Sequence, residues 1–263
     1  MARTFLITGA SGIAAETARV LPSHLGPIPG RLFLVARHAE HCEGVAASVR
    51  NDYEAISWAI GDLTNPEFAC KVVQQCAAKF GRIDALFNVA GMSGRRFGDG
   101  PLHECSEEGW AKTLDANLTT QYRMCRQTVR VMLAQDPAEN GQRGVILNMS
   151  SILGVHPEPE HFDTVAYGTS KGAIIAMSRI MAASYAPHKI RINVIAPGLA
   201  ETRMSAHAAS DTAIVDFMRI KQPLVSGMIS VEDIAQVSAF LLTDASRAIT
   251  GQCLAVDGGW GLA

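Results

Sequence analysis

The stretch that decides the fold is Thr4-Phe5-Leu6-Ile7-Thr8-Gly9-Ala10-Ser11-Gly12-Ile13-Ala14-Ala15. Its first five residues are apolar or β-branched, which predicts a strand from Thr4 to Thr8. A turn with two glycines follows, and a helical pattern occupies the region near 13 to 21. Glycines let a backbone approach a diphosphate closely, and a helix N-terminus offers N–H groups and a positive dipole. A glycine pair alone is common in ordinary turns, but a strand before it and a helix after it indicate a nucleotide-binding unit.

Outward from this stretch, strand and helix patterns alternate along nearly the whole chain. Strands are predicted for Thr4 to Thr8, Leu32 to Ala36, Ala55 to Ile60, Ile83 to Asn88, Val145 to Met149, Ile190 to Ala196 and Cys253 to Val256. Helical periodicity is clearest near 13 to 21, 39 to 50, 66 to 79, 107 to 134, 165 to 185 and 231 to 242. Several strands are apolar on both faces, as expected for parallel strands covered by helices on each side. We therefore predict an α/β fold with one domain over 1–263, a doubly wound (Rossmann) parallel sheet of about seven strands with helices on both faces.

Small or polar residues follow the predicted strands, at the edge where such sheets bind ligands. In chain order they are Gly9, Ser11 and Gly12, then Arg37, Asp62, Asn88, Ala90 and Gly91, then Ser150 and Ser151, then Pro197, Gly198 and Thr202. Because the carboxyl ends of parallel strands meet at one edge, we expect a single cleft to gather these residues.

Tyr167 and Lys171 lie four residues apart in the helical pattern 165 to 185, so they share one face, a turn apart. An ammonium this close favours the phenolate, and we expect the pKa of Tyr167 to move toward neutrality. A tyrosine tuned in this way can exchange a proton with a carbonyl or alcohol oxygen.

The chain contains a second pair with the same spacing, Tyr185 and Lys189. Pro187 lies between them, and a strand pattern begins at Lys189. Since proline breaks helices and a strand follows, we expect this second pair not to share a helical face.

Composition argues against several classes of function. A net charge of -2 provides no basic surface for nucleic acid. No segment reaches about 18 apolar residues and the N-terminal apolar stretch is too short for a signal peptide, so we expect no membrane partner. The six cysteines form no Cys-x-x-Cys pair, which favours reduced thiols and a cytoplasmic location. His156 and His161 share an acidic loop, which we interpret as solvated, and we expect no metal site.

Together these features resemble the short-chain dehydrogenase/reductase family from the first strand to the last. The resemblance is carried by Thr8-Gly9-Ala10-Ser11-Gly12, Asn88-Val89-Ala90-Gly91, Asn117, Ser151, Tyr167-x-x-x-Lys171, Asn193 through Pro197-Gly198, and the tail Ile249-Thr250-Gly251-Gln252 with Val256-Asp257-Gly258-Gly259. It implies hydride transfer between a nicotinamide cofactor and a ketone or secondary alcohol. It further implies that Tyr167 is the general acid/base and that Lys171 lowers its pKa and binds the nicotinamide ribose. Ser151 would orient the carbonyl, and Asn117 would hold a water in a proton relay.

Three of these residues have structural alternatives. Ser150 is the immediate rival of Ser151, which can instead cap a turn. Asn117 can cap or bend its helix. Asp62, implied by the resemblance to bind the adenine amine, can be a helix N-cap, and Thr64 competes for that position.

Cofactor choice depends on the end of the second strand, where an acid binds the ribose of NAD and an arginine accommodates the 2′-phosphate of NADP. Ala36 stands where the acid would be, and Arg37 follows it. A guanidinium presents forked donors suited to phosphate, so we predict NADP(H), with NAD as the runner-up. The cofactor is expected to contact Gly9, Ser11, Gly12, Ile13, Arg37, Asp62, Leu63, Asn88, Ala90, Gly91, Tyr167, Lys171, Pro197, Gly198, Ala200 and Thr202. Thr202 has a second interpretation, as an ordinary loop hydroxyl.

Three segments bear on how closely the family pattern is followed. Two residues separate Gly9 from Gly12, where ordinary short-chain members have three, and this spacing resembles the epimerase-like branch. The loop 156–163 is longer than usual and carries prolines and acids. It is either an ornamented surface loop or a pocket wall that disfavours polyanionic substrates. The segment from about 199 to 228 matches the family's variable substrate lid.

Two other functions remain open at this point. One is a non-catalytic dinucleotide-binding regulator, and the other is an epimerase-like NAD enzyme. For the enzyme, the expected partner is a small carbonyl or alcohol substrate. The resemblance also implies a homotetramer or homodimer, with the helices near 107–134 and 165–185 and the C-terminal strand at its interfaces.

Overall fold

Residues 2–263 are described by a computed structural model whose centre is one seven-stranded sheet. The strands are β1 (Thr4–Thr8), β2 (Gly30–Ala36), β3 (Tyr53–Ile60), β4 (Ala85–Asn88), β5 (Gly144–Met149), β6 (Ile190–Pro197) and β7 (Cys253–Val256). They pair in the order β3-β2-β1-β4-β5-β6-β7, and each neighbouring pair is parallel. The prediction of a doubly wound parallel sheet of about seven strands is confirmed.

Helices cover both faces of this sheet. They are α1 (Ile13–Val20), α2 (Ala39–Ser48), α3 (Pro66–Phe80), α4 (Glu107–Leu114), α5 (Thr120–Ala134), α6 (Pro159–Phe162), α7 (Val165–Tyr185), α8 (Ala206–Ser210), α9 (Thr212–Lys221) and α10 (Val231–Leu242). Successive strand side chains point to opposite faces. On β1, Phe5 and Ile7 therefore pack in a core with α1, α2 and α10, whereas Leu6 packs in a second core with α3, α5 and α7.

The strand order reverses between β1 and β4. From β1 the chain proceeds outward through β2 and β3, and then returns to the other side of β1 as β4. The loops after these two central strands diverge and leave a crevice at the carboxyl end of the sheet, which is where doubly wound sheets bind their ligands.

The prediction of one continuous helix near 107 to 134 is wrong. The pattern near 107 to 134 forms two helices, α4 and α5, joined by a π-helical turn at Asp115–Thr119. A π turn inserts an extra residue and rotates the following helix, so it interrupts periodicity without any proline or glycine to signal it. The turn contains Asn117, whose side chain is fully buried.

The two tyrosine-lysine pairs differ as predicted. Tyr167 and Lys171 both lie in α7, one turn apart. Tyr185 is the last residue of α7, and Lys189 follows a short 3-10 turn with a left-handed φ of 63°. The second pair therefore shares no helical face.

Candidate active site

A cavity of about 880 Å³ opens at the carboxyl ends of β1, β4, β5 and β6. It brings together most of the residues selected from the sequence. These are Gly9, Ser11, Gly12, Ile13, Ala90, Gly91, Ser151, Tyr167, Lys171, Pro197, Gly198, Ala200 and Thr202. The same edge of the sheet thus carries both the glycine turn and the tyrosine-lysine pair, although they are separated by about 150 residues of sequence.

The glycine turn suits a diphosphate. Gly9 and Gly12 have φ values of 107° and 52°, which only glycine adopts at low cost. Gly12 is the N-cap of α1 and provides no side-chain hydrogen bond to the helix, so the first N–H groups of α1 remain available to a ligand. Ile13 and Ala14 at this helix end line the cavity. The donor set at the helix end therefore matches an anionic group.

Thr8 was not assigned a role from the sequence, but its hydroxyl organises the neighbouring loop. The Thr8 Oγ1 atom accepts hydrogen bonds from the backbone N–H groups of Val89 and Ala90, at 2.9 and 3.2 Å. These bonds fix the loop after β4 beside the glycine turn.

Asn88 lies just outside the cavity lining. Its Nδ2 atom donates to Oδ1 of Asn148 at 2.8 Å and to the Cys125 sulfur at 3.3 Å. The side chain is fully buried and ties β4 to β5. Contact between this side chain and a cofactor would require these bonds to break, so the structure favours a scaffolding role for the side chain.

Three other expected cofactor residues lie at the ends of β2 and β3, beyond the cavity lining. Arg37 is exposed directly after β2, and Leu63 is buried. Asp62 is exposed, and its Oδ1 atom accepts from the backbone N–H and the hydroxyl of Thr64, both at 2.9 Å. The alternative role of Asp62 or Thr64 as a helix N-cap is wrong. Asn65 caps α3 instead, because its side chain accepts hydrogen bonds from the backbone N–H groups of Glu67 and Phe68.

Tyr167 and Lys171 project from α7 to the wall of the cavity. The Lys171 Nζ atom lies 5.4 Å from the centroid of the Tyr167 ring and donates to the carbonyl of Met149 at 3.1 Å. The carbonyl therefore fixes the position of the ammonium beside the phenol.

The expected direction of the Tyr167 pKa is wrong for the protein alone. Burial raises the pKa of Tyr167, and hydrogen bonding with the Ser151 side chain opposes this rise only in part. Burial also lowers the pKa of Lys171 from 10.5 to about 8, so this ammonium holds its proton less tightly than an exposed lysine does. Desolvation disfavours the charged forms of both groups and is the largest cause of both pKa shifts.

The two adjacent serines have different roles. The Ser150 hydroxyl donates to the backbone carbonyl of Lys171 at 2.7 Å and thereby ties β5 to α7. The Ser151 hydroxyl lies on the cavity wall, interacts with Tyr167 and accepts a bond from the Leu153 N–H at 3.3 Å. Both serines line the cavity, but the Ser150 hydroxyl already donates to a carbonyl, whereas the Ser151 hydroxyl lies next to Tyr167.

Asn117 is held by the loop after β4 instead of facing the cavity. Its Oδ1 accepts from the Met92 N–H at 2.8 Å, and its Nδ2 donates to the Met92 carbonyl at 3.0 Å. A Cβ atom at Gly91 would lie only 2.6 Å from this Oδ1, so the close approach requires glycine. The structural alternative for Asn117 thus has direct support, since the side chain links the π turn to the loop.

Asp99 is a functional candidate that sequence reasoning missed. Its two carboxylate oxygens accept bonds from the backbone N–H groups of Ala166 and Tyr167, at 2.9 and 3.0 Å. The carboxylate is 5% exposed and supplies the N-terminal cap that the local residue, Thr164, does not provide. Because it binds the backbone of Tyr167 itself, it fixes where α7 begins. No local motif reveals this cap, since its two partners lie 67 and 68 residues away.

Replacing Asp99 with alanine tests this positioning. We expect Asp99→Ala to lower the free energy of unfolding by about 1–2 kcal/mol, the usual cost of a lost cap. We also expect kcat to fall about 10-fold or more, since small displacements of reacting groups are costly. Denaturant unfolding and steady-state kinetics measure the two effects.

The matched control is Asn65→Ala, which removes the cap of α3 far from Tyr167. It should lose a similar amount of stability and keep its kcat. Equal kcat values for Asp99→Ala and the wild type would contradict the positioning role.

The loop 156–163 forms one wall of the cavity. His161 and Phe162 line it, and their rings lie 4.7 Å from Phe217 and 5.6 Å from Trp260, respectively. Glu158 points to Lys221, with 3.2 Å between the charged atoms. The loop is therefore a pocket wall, but its acids do not line the cavity, and the idea that they repel polyanionic substrates loses its physical basis.

Within residues 2–263, no group of three or more histidine, cysteine or acidic side chains is arranged to hold a metal ion. All six cysteines are free. None of the helices in this part of the chain is both long and apolar enough to cross a membrane.

Fold and site together define an oxidoreductase with a Rossmann sheet and a tyrosine-lysine pair in its cleft. The chain matches, over residues 8–261, a family model described as enoyl-(acyl carrier protein) reductase. It belongs to the short-chain dehydrogenase/reductase family, whose members bind a nicotinamide dinucleotide and act on alcohols or ketones.

Three similar proteins illustrate the range of this family. A cis-4-hydroxycyclohexanecarboxylate dehydrogenase from Sinomonas cyclohexanicum is 31% identical over 98% of this chain and 96% of its own length. The structure described as ElxO with NADP bound covers 100% of both chains at 26% identity and a TM-score of 0.85. An NAD⁺-bound xylitol dehydrogenase covers 98% of both chains at 30% identity and a TM-score of 0.83.

Proposed function

We propose that this protein is an NADP(H)-dependent oxidoreductase that interconverts a ketone and a secondary alcohol, with Tyr167 as the proton donor and acceptor. The observation that carries the proposal is the convergence of Tyr167, Lys171 and Ser151 on the cavity that also contains the glycine turn. The relative from Sinomonas, named for a hydroxycyclohexanecarboxylate, places ring alcohols among the substrates to be tested.

The residues present fit a nicotinamide dinucleotide, which supplies or accepts the hydride when bound. The glycine turn and the N-terminus of α1 would hold its diphosphate. Lys171 would bind the nicotinamide ribose, and Asp62 and Leu63 would contact the adenine. The remaining contacts are assigned to the loops after β4 and β6, namely Asn88 through its backbone, Ala90, Gly91, Pro197, Gly198, Ala200 and Thr202.

The proton chemistry follows from the burial of Tyr167. Its raised pKa keeps the phenol protonated at neutral pH, which suits a proton donor to the oxygen of a ketone being reduced. Ser151 would donate a hydrogen bond to the same oxygen as negative charge develops there. For alcohol oxidation Tyr167 must lose its proton, and Lys171 would stabilise the phenolate. Asn117 would take part in a water relay through its backbone carbonyl, because its side chain is already bonded to Met92.

The preference for NADP(H) rests on the end of β2. Arg37 is exposed there, and no carboxylate in residues 2–263 lies within ion-pair distance of its guanidinium. A second cation approaches the same end, because Arg203 of the lid lies 3.3 Å from the His41 ring nitrogen on α2. Unpaired cations at this position are suited to a 2′-phosphate.

Exchanging the charge at Arg37 tests this preference. We expect Arg37→Asp to weaken NADPH binding about 10- to 100-fold, since hydrogen bonds to charged groups are worth about 1.5–3 kcal/mol. NADH binding should change less than about 3-fold, because it lacks the phosphate. Fluorescence titration of both reduced cofactors measures the ratio.

The control is Arg50→Asp, which makes the same change of net charge at an exposed residue just after α2. It should affect both cofactors equally and weakly. Equal losses of NADPH and NADH binding in Arg37→Asp would reject the assignment.

We also propose that the protein forms a homotetramer or homodimer and works in the cytoplasm. The helices expected at the interface expose large apolar side chains, namely Trp110 on α4, Tyr122 and Leu133 on α5, and Ile180 on α7. Exposed apolar residues on adjoining helices favour burial against a second copy. The six free cysteines support a reducing compartment. Light scattering on the purified protein measures the assembly.

A further inference from the structure

The substrate part of the cavity combines an apolar wall with two arginines. The wall includes Leu153, Phe162, Leu199, Ile214 and Trp260, which belong to one small hydrophobic cluster. Arg95 and Arg96 line the same cavity and lie on a short 3-10 turn after β4. An apolar chamber with a few polar groups is typical of a site that orients a small molecule.

Both arginine side chains are exposed, and their guanidinium groups contact the protein without a carboxylate partner. Arg95 donates from Nη2 to the carbonyl of His161 at 2.8 Å, which ties it to the loop 156–163. Arg96 lies over the Phe97 ring, 4.6 Å from its centroid. No acid elsewhere in residues 2–263 forms an ion pair with either arginine. Two adjacent cations repel each other, so an anion between them would be stabilised.

The acids near this part of the cavity are already occupied. Asp211 is the acidic residue that lines the cavity, and its carboxylate caps α9 by accepting from Ala213 and Ile214. Glu158 pairs with Lys221, and Asp99 caps α7. No carboxylate of residues 2–263 forms an ion pair with either arginine, so both exposed guanidinium groups are open to an anionic ligand.

We propose that Arg95 and Arg96 bind a carboxylate of the substrate, which makes the substrate a small keto or hydroxy acid with an apolar body. This inference rests on the proposed function, since the carbonyl end would lie at Tyr167 and Ser151. Guanidinium groups match carboxylates through paired N–H donors. The body of the substrate would contact Phe162 and Trp260, whose rings lie side by side on the wall.

The first experiment measures binding without turnover. Cyclohexanecarboxylate and hexanoate, each with its carboxamide, are titrated by calorimetry into the NADPH-saturated protein. We expect at least one carboxylate to bind about 10- to 100-fold more tightly than its amide, as charge-assisted hydrogen bonds predict. The double variant Arg95→Gln with Arg96→Gln should lose this difference.

The control variant is Arg50→Gln with Arg247→Gln, which removes two exposed charges at surface positions away from the cavity lining. It should retain the preference for the carboxylate. Equal affinities of acid and amide in the wild type, or an unchanged preference in the Arg95/Arg96 variant, would overturn the inference.

The second experiment separates this inference from the proposed function. Wild type and the Arg95/Arg96 variant are compared on 4-oxocyclohexanecarboxylate and on neutral cyclohexanone. We expect kcat/KM for the acid to fall about 10- to 100-fold in the variant, with cyclohexanone reduced equally by both. Reduction of cyclohexanone without any preference for the acid would overturn the inference alone. Arginine-dependent carboxylate binding without reduction of either ketone would support the binding site and refute the oxidoreductase.

Discussion

Replacing Tyr167 with phenylalanine is expected to reduce kcat about 10³-fold, in the middle of the range for loss of a general acid/base. The variant deletes one hydroxyl from a side chain that faces the cavity and makes no bond that α7 needs for its own backbone. The fold and cofactor binding should therefore be kept. Nicotinamide absorbance follows turnover, and fluorescence titration follows NADPH binding.

The chain supplies its own control for this variant. Tyr185 ends the same helix and also precedes a lysine by four residues, but it lies outside the cavity lining. Tyr185→Phe should keep full kcat. If Tyr167→Phe retained kcat within about 3-fold of the wild type, tyrosine acid/base catalysis would be excluded, and the non-catalytic regulator would become the better interpretation.

Replacing Lys171 with methionine is expected to slow alcohol oxidation about 100-fold at neutral pH, the lower end of the effect of removing one electrostatic stabiliser. The ammonium lies beside the phenol, with Nζ 5.4 Å from the ring centroid, so its removal takes away the positive charge that would stabilise the phenolate. The phenolate needed for oxidation would then form at higher pH. The rising limb of the pH–rate profile for oxidation should move upward, and ketone reduction should depend less on pH.

Lys171→Met should lower activity but raise the stability of the folded protein at neutral pH. The pKa of Lys171 is about 8 in the folded protein and 10.5 when unperturbed. The unfolded chain therefore binds the proton more tightly, which costs the folded wild type up to about 3 kcal/mol below pH 8. Since the penalty disappears as pH rises from 8 to 10.5, Lys171→Met should be the more stable protein at pH 7 and lose that advantage near pH 10.5.

Denaturant unfolding of the cofactor-free protein at several pH values measures this difference. The control is Lys189→Met, because Lys189 is exposed and remote from Tyr167. Lys189→Met should change neither the pH profile of oxidation nor the stability of the protein. A parallel loss of activity and stability in Lys171→Met at pH 7 would mean that the lysine is structural.

The sequence by itself determined the sheet, most element positions and the tyrosine-lysine pair. The strands and α10 follow from local periodicity, and Tyr167 and Lys171 needed only the 3.6-residue helical repeat. The composition of β1 and the glycines after it likewise indicated the crevice, because the carboxyl ends of parallel strands share one edge. These are properties of neighbouring residues, and a single chain displays them.

Only the tertiary structure decided which groups face one another. It separated Ser150 from Ser151, attached Asp99 to the start of α7, and placed Arg95 against the loop 156–163. It also reversed the expected shift of the Tyr167 pKa, since burial depends on every segment that packs around the phenol. Contacts between distant segments and the removal of water are set by the whole fold, so no local pattern in the sequence contains them.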